Sequence, residues 1–340
     1  MKTLIPLTAL AALVASGSIH AQPTFSKPSG YVTTPLLQGF NLIGLNLQTP
    51  SLASGKFETV TATTLTDNDV TNFAPTSGRT YVLEITSGTI QGSVFEVPAA
   101  SISANVITIT TVPATDLVAL GLTTNDTYNL RIAPTLEEIF TTVPLAQGGV
   151  LVPALDAVSA DNIWLPNGNG GYIQYYLRSG NPRAFRAVVG DALAPNTPII
   201  YTDGLFVQKK TSTAASLTVT GNVKTVGTTS AIAQGFNPVN LVAPVGLNLF
   251  NAGIEDDIQA GLDATAADLV WVQQSNLSYK QYFRRGNVAT GTWRDAANPN
   301  VALTQQQAEA VLLSGAVLIQ RKGSGRVNLD LKVPSNFSNL

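Results

Sequence analysis

Cysteine is absent from all 340 residues, methionine and histidine occur once each, as Met1 and His20, and charged residues make up only 12% of the chain. Without cysteine there are no disulfides, no cysteine-ligated zinc and no thiol nucleophile, so stability must come from core burial in domains of ordinary size. The N-terminus extends the exclusion. Lys2, the apolar stretch from Leu4 to Val14 and the small residues up to Ala21 follow the order of a secretory signal, which predicts cleavage after Ala21 and a mature chain starting at Gln22. Such a chain has lost both Met1 and His20, and with histidine go the Ser-His-Asp triad and imidazole metal ligation. A formal net charge of −2 leaves no basic stripe to neutralise phosphates, which removes nucleic acid from the expected partners. The apolar N-terminal run is shorter than the roughly 20 residues of a spanning helix, and no longer one follows it, so no transmembrane segment is expected after signal removal. A membrane β-barrel is disfavoured too: aromatics are few, at 7%, for two interfacial girdles, and the chain ends on Asn339 and Leu340 where an aromatic closing strand would be expected.

What the chain has in abundance is Thr, Ser, Asn, Gly, Val and Leu, the composition of strands and polar turns. One block is written twice. Leu155-Asp156-Ala157, Ala160-Asp161, Trp164, Tyr172, Gln174-Tyr175 and Arg178 recur, 107 positions later, as Leu262-Asp263-Ala264, Ala267-Asp268, Trp271, Tyr279, Gln281-Tyr282 and Arg285, the mark of two units of one fold. Further marks extend the repeat: Gly30-Tyr31-Val32-Thr33-Thr34 with Gly221-Asn222-Val223-Lys224-Thr225, Gln38-Gly39-Phe40-Asn41 with Gln234-Gly235-Phe236-Asn237, and Gly44 to Leu47 with Gly246 to Leu249. From Leu249 to Leu262 is 13 positions, but from Leu47 to Leu155 is 108, so the first copy carries an insertion of 95 residues. The expected layout is a signal peptide at 1–21, a discontinuous first β-domain at 22–48 and 148–211, an inserted small β-domain at 49–147, and a second copy at 212–340. The insert's alternating stretches Thr80 to Thr86, Ser93 to Val97, Asn105 to Thr110 and Tyr128 to Ile132 predict a compact barrel-like unit. The fold class is therefore all-β: two tandem β-sandwich or jelly-roll-like domains with the small domain inserted in the first.

Few helices are expected. Thr135 to Phe140 suits one turn, and Thr304 with Gln307 three residues on, followed by Ala308, Val311 and Leu312 and stopped at Gly315, reads as a capped helix. After Tyr172 and Tyr279 the repeated strand has period two. The set Tyr172, Gln174, Tyr176 and Arg178, with Tyr279, Gln281, Phe283 and Arg285, keeps its character between copies and is expected to face the interior. The opposite set changes from Ile173, Tyr175 and Leu177 to Lys280, Tyr282 and Arg284.

The marks Gln38 to Gly44, Tyr81 to Gly88, Asp126 to Leu136 and Gly204 to Val207 resemble those of exported, β-rich proteins that occur as paralogous sets in verrucomicrobial bacteria. The resemblance covers nearly the whole mature chain, through framework strands rather than site residues. It implies export and a β fold, and it transfers no functional residue. Pro238 and Pro244 set the second copy apart from that pattern.

Three kinds of chemistry survive the exclusions. Glycoside hydrolysis needs only two placed carboxylates, and acids cluster at Glu137-Glu138, at Glu255-Asp256-Asp257 and at Asp161 with its counterpart Asp268; each also has a structural reading, as a helix start, a solvated turn or short helix, or a turn cap or partner of Arg178 and Arg285. Asp67 and Asp69, in Thr66 to Asn72, offer alternating oxygen ligands suited to Ca2+, yet an Asx-turn explains them without a metal. Tyr175 and Tyr282, on the face that changes character, are the candidates for an exposed, glycan-stacking surface, whereas Trp164 and Trp271 read as interior. The function expected from all this is an exported structural or adhesive protein, not an enzyme, in the periplasm, on the cell surface or outside the cell, and acting through self-association or other protein contacts. A carbohydrate-binding module that recognises surface glycans is the alternative, and a carboxylate-only glycosidase a lower one.

Overall fold

The computed structural model describes residues 28–70, 73–110, 116–168, 170–286, 291–313, 315–335 and 337; the expected signal segment lies outside them. The protein is all-β: strands hold 43% of the described residues and helices 6%, and among these residues no sheet closes into a barrel. Two five-stranded antiparallel sheets match strand for strand. One runs Ala184–Ala187, Tyr172–Arg178, Asn162–Pro166, Gly204–Lys209, Gly39–Gly44; the other runs Thr292–Asp295, Tyr279–Arg285, Leu269–Gln273, Ala316–Arg321, Gly235–Asn240. Each is backed by a two-stranded ladder, Ser29–Leu36 on Ala215–Asn222 in the first and Thr228–Ile232 on Val327–Leu331 in the second. Ile163, Leu177, Phe185 and Val207 of the first sheet bury against Leu36 and Leu217 of its ladder; Val270, Tyr282 and Ile319 bury against Ile232 and Leu329 in the second. Each pair of layers is a sandwich, which is how strands with one apolar face remove it from water.

The Ala215–Asn222 strand therefore pairs back onto the first copy, although residues from 212 onward were expected to open the second. Gly30 and Gly221 are cross-strand partners, and so are Thr33 and Thr218, whose hydroxyls bond at 2.8 Å. The two marks therefore do not occupy equivalent positions: Gly30 to Thr34 lies opposite Leu217 to Gly221, and the marks meet only at the Gly30–Gly221 pair.

The Gln-Gly-Phe-Asn mark is a backbone lock. Asn41 accepts from Leu37 N and donates to the carbonyls of Leu37, Gly39 and Val207; Asn237 repeats this with Ala233, Gly235 and Ile319. The turn needs a residue at positive φ, supplied by Gly39 at +114° and Gly235 at +103°. Gln38 and Gln234 then reach the carbonyls of Lys210 and Lys322.

The insert holds two four-stranded sheets, one ordered Ser51–Lys56, Thr127–Ile132, Thr80–Ile85, Val94–Pro98 and the other Thr59–Val60, Thr64–Thr66, Val106–Thr108, Ile102–Ser103. Phe57 stacks on Tyr128 at 4.6 Å in a core with Leu65, Leu83 and Ile107. The two helices are short. Thr135 with Glu138 and Thr304 with Gln307 form capping boxes for Leu136–Phe140 and Gln305–Glu309. The second helix ends before Leu312, which is 68% exposed, and Leu313 takes the core position instead.

Three junctions hold the parts together. The second copy's Gln273 accepts from Leu42 N and donates to Phe40 O of the first. Fully buried Asn240 donates to the carbonyls of Leu45 and Tyr201. Between insert and copies, buried Lys224 pairs with Glu84, whose other oxygen lies 3.7 Å from Arg131 and receives Gln48.

Candidate functional site

Most of the residues singled out from the sequence belong to the framework. Tyr175 and Tyr282 are 7% and 5% exposed and sit in the cores of their copies. The expected assignment of the two strand faces is thus reversed at its centre: Tyr175 and Leu177 pack inward, whereas Tyr172, Gln174, Tyr279 and Gln281 are half-buried. On that second face Phe40, Trp164, Phe206 and Tyr172 form a chain of ring contacts, and Phe236, Trp271 and Tyr279 form its counterpart. Desolvation pushes both Tyr172 and Tyr279 up to about 12, with Tyr279 close enough to act on Tyr172. The two copies meet at this face, where Gln273 bonds to Leu42 N and Phe40 O and Tyr279 acts on Tyr172.

The repeated acids are likewise consumed. Asp161 pairs with Lys209 and accepts from the N–H groups of Val152 and Lys210. Asp268 pairs with Arg321 at 3.4 Å and accepts from Gln259 and Lys322. Arg178 pairs with Asp191 and not with Asp161. Glu138 binds Arg79, and Asp256, at the end of the short 3-10 helix Ile254–Asp256, binds Lys332 at the surface. Asp67, Asp69 and Glu58 do come together, with carboxylate oxygens within 4.8 Å of one another. Asp67 is buried, accepts from the Tyr128 hydroxyl at 2.7 Å and takes Asp69 N in an Asx-turn. Burial and that carboxylate push the Tyr128 hydroxyl well above its ordinary range.

What the framework leaves open is a cleft of about 1030 Å³ with three walls. The insert supplies one wall through the edge strand Val94–Pro98, where Phe95 and Val97 point into the insert core and Glu96 and Pro98 point out. The first copy supplies the hairpin turn around Pro166 and Ile173 and the segment from Thr197 to Leu205, with Tyr175 at the floor. The second supplies Thr229 to Ala233 and Phe236 to Val239. Asp203 is held there by a turn from Ile200 and a bridge to Val239.

Glu96 and Asp203 carry the electrostatics of this cleft. Asp203 is pushed up to about 7, first by burial and then by the charge of Glu96, and is relieved only by a Thr202 hydroxyl 3.5 Å away. Glu96, on the exposed side of its strand, is raised as well, by the partial desolvation that the neighbouring walls impose. Two carboxylates that resist ionisation in a concave site form an arrangement suited to binding positive charge or to proton transfer. Sequence reasoning missed both, because neither lies in a repeat or a motif and three separate segments bring them together. The one available signal was that the insert has no internal double. Compared with known proteins, the chain matches no family model, no curated protein and no solved structure.

Proposed function

We propose that this is an exported structural or adhesive protein that works by protein–protein association, with the three-walled cleft as its docking site. The observation that carries the reading is the division of labour between repeated and unrepeated residues. Residues written twice are spent on rigidity, in the Asn locks, the buried ion pairs and the face between copies. The cleft forms only where the unpaired insert meets both copies, and a rigid frame that presents one concave surface suits recognition more than turnover. The N-terminal signal pattern and the resemblance to exported verrucomicrobial paralogues support export, as does the lack of cysteine and of histidine after Ala21. Among the described residues no helix is long and apolar enough to cross a membrane.

The test is light scattering after size exclusion, over a concentration series of the mature chain and of Ala231→Trp, which fills the cleft from an exposed position. Concentration-dependent assembly that the substitution abolishes is expected. A strictly monomeric protein that also captures no envelope protein would overturn the reading. Glycan binding is a second reading because Phe236, 41% exposed, presents a ring to the cleft; retention on a glycan array, lost in Phe236→Ala, would favour it.

A further inference from the structure

We infer that Lys224 and Glu84 form a self-catalysed crosslink, an amide between the lysine amine and the glutamate side-chain carboxyl that ties the insert to the segment joining the two copies. The inference is independent of the docking role, since neither residue lines the cleft. Glu84 stands on Thr80–Ile85, the strand between Thr127–Ile132 and Val94–Pro98 in the insert. Alternation sends Tyr81, Leu83 and Ile85 into the insert core and leaves Val82 and Glu84 on the face that meets the copies, where Val82 packs with Tyr201 and Val242. Lys224 reaches that face from just beyond Ala215–Asn222. Glu84 and Lys224 are only 1% and 4% exposed. Lys224 Nζ touches Glu84 Oε1, and among the described residues neither atom has a hydrogen-bond partner.

A buried ammonium carries three donors and is costly unless they are met. Lys209 shows how this chain meets that cost within an ion pair: its Nζ also donates to Val150 O, and Asp161 holds two backbone N–H groups. Among the described residues Lys224 has no such second acceptor, only the ring of Tyr201 at 5.8 Å. Burial pushes its amine down to about 7, so the nucleophilic free amine is well populated at neutral pH. The acyl side is prepared too. Gln48 Nε2 donates to Glu84 Oε2 at 3.4 Å and Arg131 Nε stands 3.7 Å from it, two donors placed to hold negative charge on that oxygen during attack. Gln48, Arg131 and Tyr201 are themselves buried, which keeps out the water that would reverse the reaction.

The step balances without a co-reactant. One proton passes from the ammonium to Oε1, and the freed lone pair forms the Nζ–Cδ bond while charge gathers on Oε2. A second proton then moves from nitrogen to Oε1, the Cδ–Oε1 bond breaks, and one water leaves. The nitrogen keeps its third proton as the amide N–H, and Oε2 becomes the amide oxygen facing Gln48 and Arg131. Contact between the two groups supplies the effective concentration that drives the condensation. In a chain without cysteine, such a bond closes a long loop covalently, as a disulfide would elsewhere.

The test is the intact mass of the full mature chain, followed by a tryptic map. Relative to its own sequence, the wild type is expected to be lighter by one water, about 18 Da, than Lys224→Met is relative to its own; the comparison cancels any change elsewhere in the chain. Trypsin does not cut after an acylated lysine, so the free Thr211–Lys224 peptide is expected to be missing from the wild type, with its stretch joined to Thr80–Arg131. The same mass defect in both proteins, or none in either, overturns the inference, and so does a free Thr211–Lys224 peptide in full yield. The tryptic map of the wild type needs no variant to fold. Light scattering reads assembly separately, so failure of the crosslink leaves the docking role standing.

Discussion

Lys209 places its ammonium on the carboxylate of Asp161 with both side chains fully withdrawn from solvent. The same carboxylate holds the N–H groups of Val152 and Lys210, so one acid ties together the strand that carries Lys209 and the segment ahead of Asn162–Pro166. Asp268 does the equivalent in the second copy with Arg321, Gln259 and Lys322. Twin clamps at matching positions act on the same joint of the sandwich.

Asp161→Ala strands a buried ammonium and is expected to cost about 3–5 kcal/mol. Asp268→Ala should cost less, because Arg321 is slightly exposed and keeps contacts to Gly325 O and Ser324 O. The joint replacement of Asp161 by Asn and Lys209 by Met should recover much of the loss, since it removes both charges together. Urea unfolding followed by tryptophan fluorescence measures all three, and an additive double mutant would refute the pairing.

The Asn locks give a second expectation. Asn41→Ala removes a side chain that makes four bonds to backbone and leaves Leu37 N and several carbonyls short of partners. At about 1 kcal/mol per bond, with a further penalty for buried groups left unsatisfied, the loss is roughly 3 kcal/mol, and Asn237→Ala should match it. Asn41→Asp tests the chemistry, because a carboxylate still accepts from Leu37 N but cannot donate to the three carbonyls. It should behave like the alanine variant in thermal melts.

The fold class was legible because alternation and duplication are local signals, readable in Thr80 to Thr86 or in the spacing of Trp164 and Trp271. The direction in which Tyr175 points was not. Period two assigns Tyr175 and Gln174 to opposite faces without saying which is inside, and here both faces are covered, one by the ladder and one by the other copy. Symmetry also misled: Gly30 and Gly221, matched as equivalent positions of two copies, are partners across one ladder. The partners of Asp161 and Asp268 were visible in the basic ends of both tail strands, Lys209-Lys210 and Arg321-Lys322, but contact across 48 and 53 positions has no sequence signal. For Glu96 the single hint was that the insert has no internal double, and Asp203 carried none.

Tyr175→Ala should destabilise the protein by about 3–5 kcal/mol through the cavity it leaves, and Tyr282→Ala by a similar amount, since both rings lie in cores. Tyr175→Phe and Tyr282→Phe keep the packing and should cost far less. Loss of any glycan retention in the alanine variants would then follow the unfolded fraction, and retention lost in a fully folded phenylalanine variant would reopen a direct role for these hydroxyls.

Asp203 sets a pH dependence whose sign is fixed by its environment. Its carboxyl is pushed from an ordinary aspartate value up to about 7 in the folded protein, so between those limits the folded chain holds a proton that the unfolded chain has released. The stability linked to this proton is fully present below about pH 3.9 and is lost as pH rises through about 7. Glu96, raised by partial desolvation, acts with the same sign. At about 1.4 kcal/mol per pH unit, the ceiling for Asp203 is roughly 4 kcal/mol. Glu138, lowered through Arg79 and Thr135, works in the opposite sense and loses its contribution on acidification below its own ordinary range, so the two effects occupy different windows. The measurement is the difference in unfolding free energy between wild type and Asp203→Asn from pH 4 to pH 8. The substituted amide cannot ionise, so the variant should gain on the wild type steadily across that range and be the more stable protein at pH 8. A difference that stays flat would mean that the Asp203 carboxyl ionises in the folded protein as it does in water.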